Sequence, residues 1–165
     1  MKLLYLLALL ALSLAPLPDD PHPIPVPKLN VDRMNGTWYA AFYFNNNSEE
    51  MGFFNDYEIK CWNVVVSRDE DTKQLRDLST MTINDQRTTK NDTIEIKNKG
   101  GSIWSLGDRD EWAWIDVDLA GYSWGLFAHL KGEQIILFTR FVDVDIKVII
   151  RAIAEAKSQG FDINF

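Results

Sequence analysis

The sequence predicts an all-β fold: an eight-stranded antiparallel up-and-down barrel with one C-terminal α-helix packed outside. Between residues 36 and 141, short runs alternate apolar and polar residues and are rich in β-branched and aromatic side chains. This alternation is typical of half-buried strands, and the short connections favour antiparallel neighbours. Eight such strands form either a sandwich or a barrel, and a barrel is favoured because closure leaves no exposed edge strand.

The N-terminal residues have the composition of a targeting segment. Residues 1–15, MKLLYLLALLALSLA, place one lysine before an apolar run that ends in small residues, which is typical of a secretory signal peptide. The run is short for a membrane span, so we expect secretion without a membrane anchor. Residues 16–30 carry all six prolines and predict an extended leader. Residues 31–165 then form one barrel domain.

The predicted strands follow one another in chain order. They are the runs GTWYAAFYF (36–44), DYEIKCWNVVVS (56–67), LRDLSTMTIND (75–85), NDTIEIKN (91–98), KGGSIWSLGD (99–108), WAWIDVDL (112–119), GYSWGLFAHL (121–130) and QIILFTRF (134–141). The segment QRTTK (86–90) is predicted to be a hydrophilic hairpin connection between the third and fourth strands. In the sixth strand, Asp116 and Asp118 are predicted to share one face with Trp112 and Trp114. We expect these two carboxylates to be solvated rather than a paired acid and base.

The helix is predicted by a change of period after the last strand. Its apolar face would consist of Ile146, Ile149, Ile150 and Ile153, at the three-and-four spacing of a helix. Asp145, or Asp143 before it, is placed to cap the first turn. Gly160 suits the left-handed position that ends a helix, and Phe161 is placed for the apolar contact that often follows.

Charge and surface motifs restrict the partners. The formal net charge is −7 with acidic and basic residues mixed along the chain, so nucleic acid and anionic membranes are not expected partners. Acceptor sequons at Asn35, Asn46 and Asn91 predict glycosylation. His22 and His129 have no spacing that makes a zinc site, and no glycine-rich phosphate loop is present, so we expect no metal and no cofactor.

Cys61 is the only cysteine, so the domain has no internal disulfide. Its thiol is buried and inert, links two chains into a homodimer, or is chemically active, and burial is favoured. Stability must therefore come from packing.

Two motifs resemble the signatures of the lipocalin family. The segment NGTWY, residues 35–39, resembles the Gly-x-Trp signature at the start of the first lipocalin strand. Residues 137–140, LFTR, resemble the family's last signature. In lipocalins that arginine lies across the tryptophan at the sealed end of the barrel, so the resemblance implies that Arg140 stacks on Trp38 beside Gly36.

The rest of the domain supports the resemblance less evenly. Only Asp118 remains of the family's middle signature, a turn between the sixth and seventh strands. The retinol-binding and apolipoprotein D-like lipocalins carry disulfides that this chain lacks. The resemblance implies a secreted carrier that holds one small hydrophobic ligand inside the barrel.

The candidate ligand contacts follow from the expected stacking of Arg140 on Trp38. Side chains of the same parity near this pair would face the barrel interior. They are Ala40 and Phe42 in the first strand and Ile136 and Phe138 in the eighth, with Trp124 and Leu126 added from the seventh strand as wall residues.

A narrower resemblance supports an enzyme as the alternative. Cys61 lies on the second strand, where the lipocalin-type prostaglandin D synthases carry a nucleophilic cysteine facing the cavity. An isomerase using Cys61 would need its thiolate stabilised by nearby cations or hydroxyls. The sequence favours the carrier over this enzyme. A third hypothesis is a solidly filled barrel that acts only through its surface.

Overall fold

The structure is a computed structural model that describes residues 20–45, 59–107 and 110–163. Eight strands form one closed antiparallel barrel in which each strand pairs with its neighbours in sequence and the first pairs with the last. They are β1 (Gly36–Asn45), β2 (Ile59–Arg68), β3 (Leu75–Ile83), β4 (Gln86–Ile96), β5 (Ile103–Leu106), β6 (Asp110–Val117), β7 (Trp124–His129) and β8 (Gln134–Thr139). A 3₁₀ helix, Val31–Met34, precedes β1, and helix α1, Ile146–Ser158, follows β8. The predicted fold class is confirmed.

Two predictions fall outside the described part of the chain. The signal peptide, residues 1–15, and the sequon at Asn46 both lie there. Within the part that is described, no helix has the length and apolar character needed to cross a bilayer.

The hairpin between β3 and β4 is tighter than the sequence suggested. Ile83 pairs directly with Gln86, so the connection is only Asn84 and Asp85. Both have positive φ, 47° and 62°, which is the conformation of a two-residue turn whose twist matches the flanking strands. The prediction of residues 86–90 as a connection is therefore wrong, because the turn residues lie just before them.

Buried side chains form two clusters, one on each side of the barrel wall. The inner cluster includes Trp38, Val64, Trp104, Trp114, Phe127 and Phe138. The outer cluster lies between the wall and α1 and includes Ala113, Ile115, Leu126, Ile135, Leu137, Ala152, Ala156 and Phe161. Strand β7 contributes to both clusters because successive side chains of a strand point to opposite faces.

The predicted ends of α1 are confirmed. The Asp145 carboxylate accepts a hydrogen bond from the Lys147 N–H at 2.9 Å and caps the first turn. Gly160 has φ +89°, and the Phe161 N–H donates to the Ala156 carbonyl at 3.1 Å. The Phe161 side chain is buried, as expected for the apolar contact that closes such a helix end.

The predicted apolar face of α1 is only partly right. Ile146 and Ile150 are 63% and 60% exposed. The helix instead contacts the barrel through Ala152 and Ala156, with Ile149 beside them. Because the helix faces the barrel with Ala152 and Ala156, Ile146 and Ile150 lie toward solvent.

A bulge in β6 turns Asp116 toward α1. Trp114 pairs with Phe127 but Asp116 pairs with Leu126, so Ile115 is an extra residue in the strand. Such a bulge reverses which face the following side chains occupy. Asp116 therefore points outward and accepts two hydrogen bonds from Arg151 of α1, both at 3.0 Å. The expectation that Asp116 shares a face with the strand's tryptophans is wrong.

The proline-rich segment is attached to the barrel. Its described residues, 20–30, contain no helix or strand. The Val26 N–H donates to the Trp114 carbonyl at 2.8 Å, and the Leu29 N–H donates to the Gly100 carbonyl at 2.7 Å. Leu29 is buried within the inner cluster. The segment therefore covers part of the barrel rather than hanging free.

The closed end of the barrel is built on the contact between Arg140 and Trp38. The Arg140 guanidinium carbon lies 3.7 Å from the centroid of the Trp38 ring, which is the stacking that the family resemblance implied. The same guanidinium donates to the carbonyls of Thr37 at 3.0 Å, Arg33 at 2.8 Å and Tyr122 at 3.3 Å. Trp38 is 1% exposed, so its ring forms a floor.

Gly36 is required by the same contact. Its φ is +106°, a conformation that L-residues with side chains rarely adopt. A Cβ at this position would also lie 3.1 Å from Nη1 of Arg140. The glycine therefore leaves room for the guanidinium.

Asp118 has a structural role in the turn between β6 and β7. Its carboxylate accepts hydrogen bonds from the Ser123 hydroxyl at 2.6 Å and from the Gly121 N–H at 3.1 Å. The Ser123 hydroxyl and these backbone donors hold the pKa of Asp118 below its ordinary value. Asp116 is bonded to Arg151 of α1 and Asp118 to the β6–β7 turn, so the two carboxylates have separate partners and do not form an acid–base pair.

We predict that Arg140→Ala lowers the free energy of unfolding by about 2 kcal/mol, because stacking and charged hydrogen bonds to carbonyls are lost together. The melting temperature, measured by circular dichroism, should fall by about 5–10 °C. Arg87→Ala is the matched control, since Arg87 is an exposed guanidinium on β4, and it should leave the melting temperature nearly unchanged. Equal melting temperatures for Arg140→Ala and the parent protein would contradict this role.

Candidate functional site

The barrel encloses a cavity of about 300 Å³. Most of its wall is aromatic and comes from five tryptophans with a tyrosine and two phenylalanines: Trp38, Tyr43, Trp62, Trp104, Trp112, Trp114, Phe127 and Phe138. A volume of this size is at the lower end for sites that take one small molecule. The barrel is therefore not filled by its own side chains.

The aromatic rings contact one another and form a continuous wall. Trp114 lies at the centre, with ring centroids 4.5 Å from Phe127, 5.4 Å from Trp104 and 5.7 Å from Trp38. Most of these contacts are tilted or edge-to-face, the arrangements that aromatic pairs prefer. Gly125 makes this possible, because a Cβ there would lie 2.7 Å from the Trp114 ring.

The opposite part of the wall is polar and comes from β3 and β4. Asp77 and Ser79 of β3 line the cavity beside Lys90 and Asp92 of β4. Asp77 is directly opposite Asp92 in the strand register, and Ser79 is opposite Lys90. The Ser79 hydroxyl donates to Asp77 at 2.8 Å, and the Lys90 ammonium pairs with Asp92 at 2.9 Å.

Asp77 is the buried member of this group. Its side chain and backbone together are 9% exposed, whereas the side chain of Lys90 is 65% exposed. Burial raises the pKa of Asp77 to about 6; the Asp92 carboxylate adds to the rise, while the Ser79 hydrogen bond and Lys90 oppose it. In the described part of the chain, no cationic side chain lies within ion-pair distance of Asp77. Burial also raises the pKa of Tyr43, to about 12.

Three of the six predicted ligand contacts lie on the inner side of the wall. Ile136 and Phe138 line the cavity, and Ala40 is half-buried against the inner cluster. That they contact a ligand stays a prediction.

The other three predicted contacts, Phe42, Trp124 and Leu126, lie on the outer side, toward α1. The prediction that they face the interior is therefore wrong. In β1 the pairing with β8 shifts between Ala40 and Phe42, and this bulge turns Phe42 outward. In β7 the residues opposite Phe138 and Ile136 are Gly125 and Phe127, so these, rather than their neighbours, face inward.

Sequence reasoning missed the polar wall. In β3 the inward side chains include Asp77 and Ser79, while Leu78 between them is 40% exposed on the outside. An alternating strand is expected to turn its polar residues to solvent. The available signal was parity: Asp77 shares a strand face with Leu75 and Met81, and the more apolar face of a strand is the one expected to turn inward.

Cys61 does not face the cavity. It is free and exposed, with φ +52°, at a shift in the pairing of β2 with β3 between Lys60 and Asn63. Its neighbour Trp62 lines the cavity instead. The expectation of a buried thiol is wrong, and so is the hypothesis of a cavity nucleophile.

The remaining sequence features are the glycosylation sequons and the possible metal-binding side chains. Asn35 and Asn91 are exposed, and their glycosylation stays a prediction. In residues 20–45, 59–107 and 110–163, no three or more His, Cys, Asp or Glu side chains are grouped to hold a metal ion.

Comparison with solved structures finds similar barrels. The cockroach allergen Per a 4 has a TM-score of 0.63 and 14% sequence identity, with 84% of this chain and 86% of that chain covered. Lipocalin 12 from rat epididymis has a TM-score of 0.62 and 15% identity, covering 88% and 87%. Lobster apocrustacyanin A1 has a TM-score of 0.60 and 18% identity, covering 81% and 74%. The sequence matches no protein-family model and no curated protein.

We predict that Asp77→Asn stabilises the ligand-free protein in a pH-dependent way. The folded-state pKa of Asp77 is about 6 against an ordinary 3.8, so its favourable contribution is complete below pH 3.8 and is lost as the pH rises through 6. An asparagine has no such loss. At pH 7.5 the substitution should add on the order of 2 kcal/mol to the free energy of unfolding, and near pH 4 little.

Thermal melts at pH 4 and pH 7.5 measure this difference. The control is Glu95→Gln, which removes an exposed carboxylate from the same hairpin and should give the same small change at both pH values. The charged groups near Asp77 are Asp92 and Lys90, both on β4, and the neutral Ser79 hydroxyl also bonds it. Its partner on β2, Val66, is apolar. An Asp77→Asn effect that does not change with pH would refute the prediction.

Proposed function

We propose that this chain, which has the lipocalin fold, is a secreted carrier that encloses one small hydrophobic molecule inside its barrel. The observation that carries the proposal is the cavity of about 300 Å³ with its largely aromatic wall. Apolar ligand surface removed from water contributes ~25 cal/mol per Å². Roughly 200 Å² of apolar ligand surface would then contribute about 5 kcal/mol before the entropic cost of binding.

The closed end of the barrel and the packing of its wall both support this function. At one end the stacked Arg140 and Trp38 close the floor, so a ligand has no passage there. The aromatic wall contacts itself and is held from outside by α1, which makes the pocket pre-formed. A pre-formed pocket loses less entropy on binding. Secretion is proposed from the signal-peptide pattern of residues 1–15 and from the sequons.

The direct test is native mass spectrometry of the protein purified from a eukaryotic secretion host, followed by extraction with organic solvent. A carrier should retain one apolar molecule per chain, and the extract then names its class. The same spectrum reports the mature N-terminus, which we expect near residue 15.

We predict that a bulky side chain at Met81 blocks the cavity. Of the β3 residues that line the cavity, Met81 is nearest the turn at Asn84. Met81→Trp should weaken binding of the neutral probe N-phenyl-1-naphthylamine at least about tenfold, measured by the rise in probe fluorescence on titration.

Met81→Leu is the control, because it preserves volume and apolar character and should bind the probe as the parent does. Thermal melts of both variants check that the barrel is intact. Unchanged affinity in a folded Met81→Trp variant would overturn the proposed carrier site.

A further inference from the structure

The charge of the cavity wall restricts what the ligand can be. Among the described residues that line it, Asp77, Asp92 and Asp110 are acidic and Lys90 alone is basic. Asp110 and Lys90 lie at the rim, with side chains 63% and 65% exposed, whereas the side chain of Asp92 is 19% exposed. The deeper part of the wall is therefore anionic.

Asp77 has no counterion of its own in this arrangement. Its carboxylate is bonded by the neutral Ser79 hydroxyl, and the nearest ammonium, on Lys90, is paired with Asp92. No ion pair to Asp77 occurs in the described part of the chain. Burying a carboxylate without a paired cation costs free energy, and a cation supplied by a ligand would remove that cost.

The aromatic part of the wall suits the same class of ligand. Trp62, Trp104 and Trp112 line the cavity with Tyr43. Indole faces attract ammonium groups, and the attraction is stronger when the cation is shielded from water. The rings also offer flat apolar surface to the rest of a small molecule. A bare metal ion does not fit, because the described residues hold no cluster of ligating side chains.

We propose that the cavity takes an organic cation: a protonated amine joined to a compact apolar body, with its ammonium paired to Asp77 and its body against the tryptophans. The inference rests on the proposed carrier function and names the ligand class for the same cavity. A neutral hydrophobic molecule of equal size would leave the carboxylate buried and unpaired. Charge, rather than apolar area, then decides which ligand is retained.

The experiment compares three indole derivatives that differ mainly in charge, using isothermal titration calorimetry at pH 7.5 and low salt. Tryptamine is the cation, tryptophol is its neutral alcohol and indole-3-propionate is an anion. We expect tryptamine to bind at least about tenfold more tightly than tryptophol, and the propionate to bind most weakly. Equal affinities for tryptamine and tryptophol would overturn the inference.

The Asp77→Asn variant tests whether Asp77 is responsible for the preference for the cation. The variant should lose at least about tenfold in tryptamine affinity and keep its tryptophol affinity, because the shape of the side chain is preserved. Glu95→Gln is the control for net charge, since it removes a carboxylate on the outside of β4, and it should bind all three compounds as the parent does. A tryptamine affinity that Asp77→Asn leaves unchanged would also overturn the inference.

Failure of the inference and failure of the carrier function give different results. If N-phenyl-1-naphthylamine and tryptophol bind but tryptamine binds no more tightly, the carrier stands and the cation preference is wrong. If neither the neutral probes nor tryptamine binds to the folded parent protein, both are wrong.

Discussion

The contact between Arg140 and Trp38 is the constraint on which the rest of the barrel depends. It joins the last strand to the first where both reach the closed end, and β1 pairs with β8 from there onward. One guanidinium covers the indole face and also satisfies carbonyls that come from three separate segments. A lysine offers neither the planar face nor the fixed fork of donors. Because this end is sealed, the space above it is a pocket rather than a channel.

The fold was predictable from sequence because short motifs mark the strands, the ends of the helix and the closed end of the barrel. Alternating runs gave the strands, Asp145 and Gly160 marked the ends of α1, and the Gly36–Trp38 pair together with Arg140 indicated the closed end. The lining of the cavity was less predictable. Bulges in β1 and β6 each add one residue, and the parity of every later side chain in that strand is reversed. A reader of the sequence sees alternation on both sides of a bulge but not the reversal.

Asp77 was missed for a different reason, and it is more informative. Strand β3 turns its more apolar face inward, with Leu75 and Met81, and Asp77 occupies a position on that same face. Departures from the apolar-inside pattern tend to mark functional positions, because they cost stability and persist only where something else requires them. The raised pKa of Asp77 expresses that cost. The acidic residue type at an inward position therefore points to the same residue as the charge of the cavity wall.

The two halves of the barrel differ in how tightly they are packed and in the charge they carry. Strands β6, β7 and β8 are packed on both sides, with aromatic rings inside and α1 outside, so their inward side chains hold a fixed shape. The described residues of β3 and β4 contribute nothing to the cluster beneath α1, and the outer face of β4 is largely exposed. Acidic groups on a wall that backs onto water are less costly to bury than they would be beneath the helix. The carboxylates are thus confined to the half of the barrel that tolerates charge, facing a rigid aromatic half that can hold an apolar body against them.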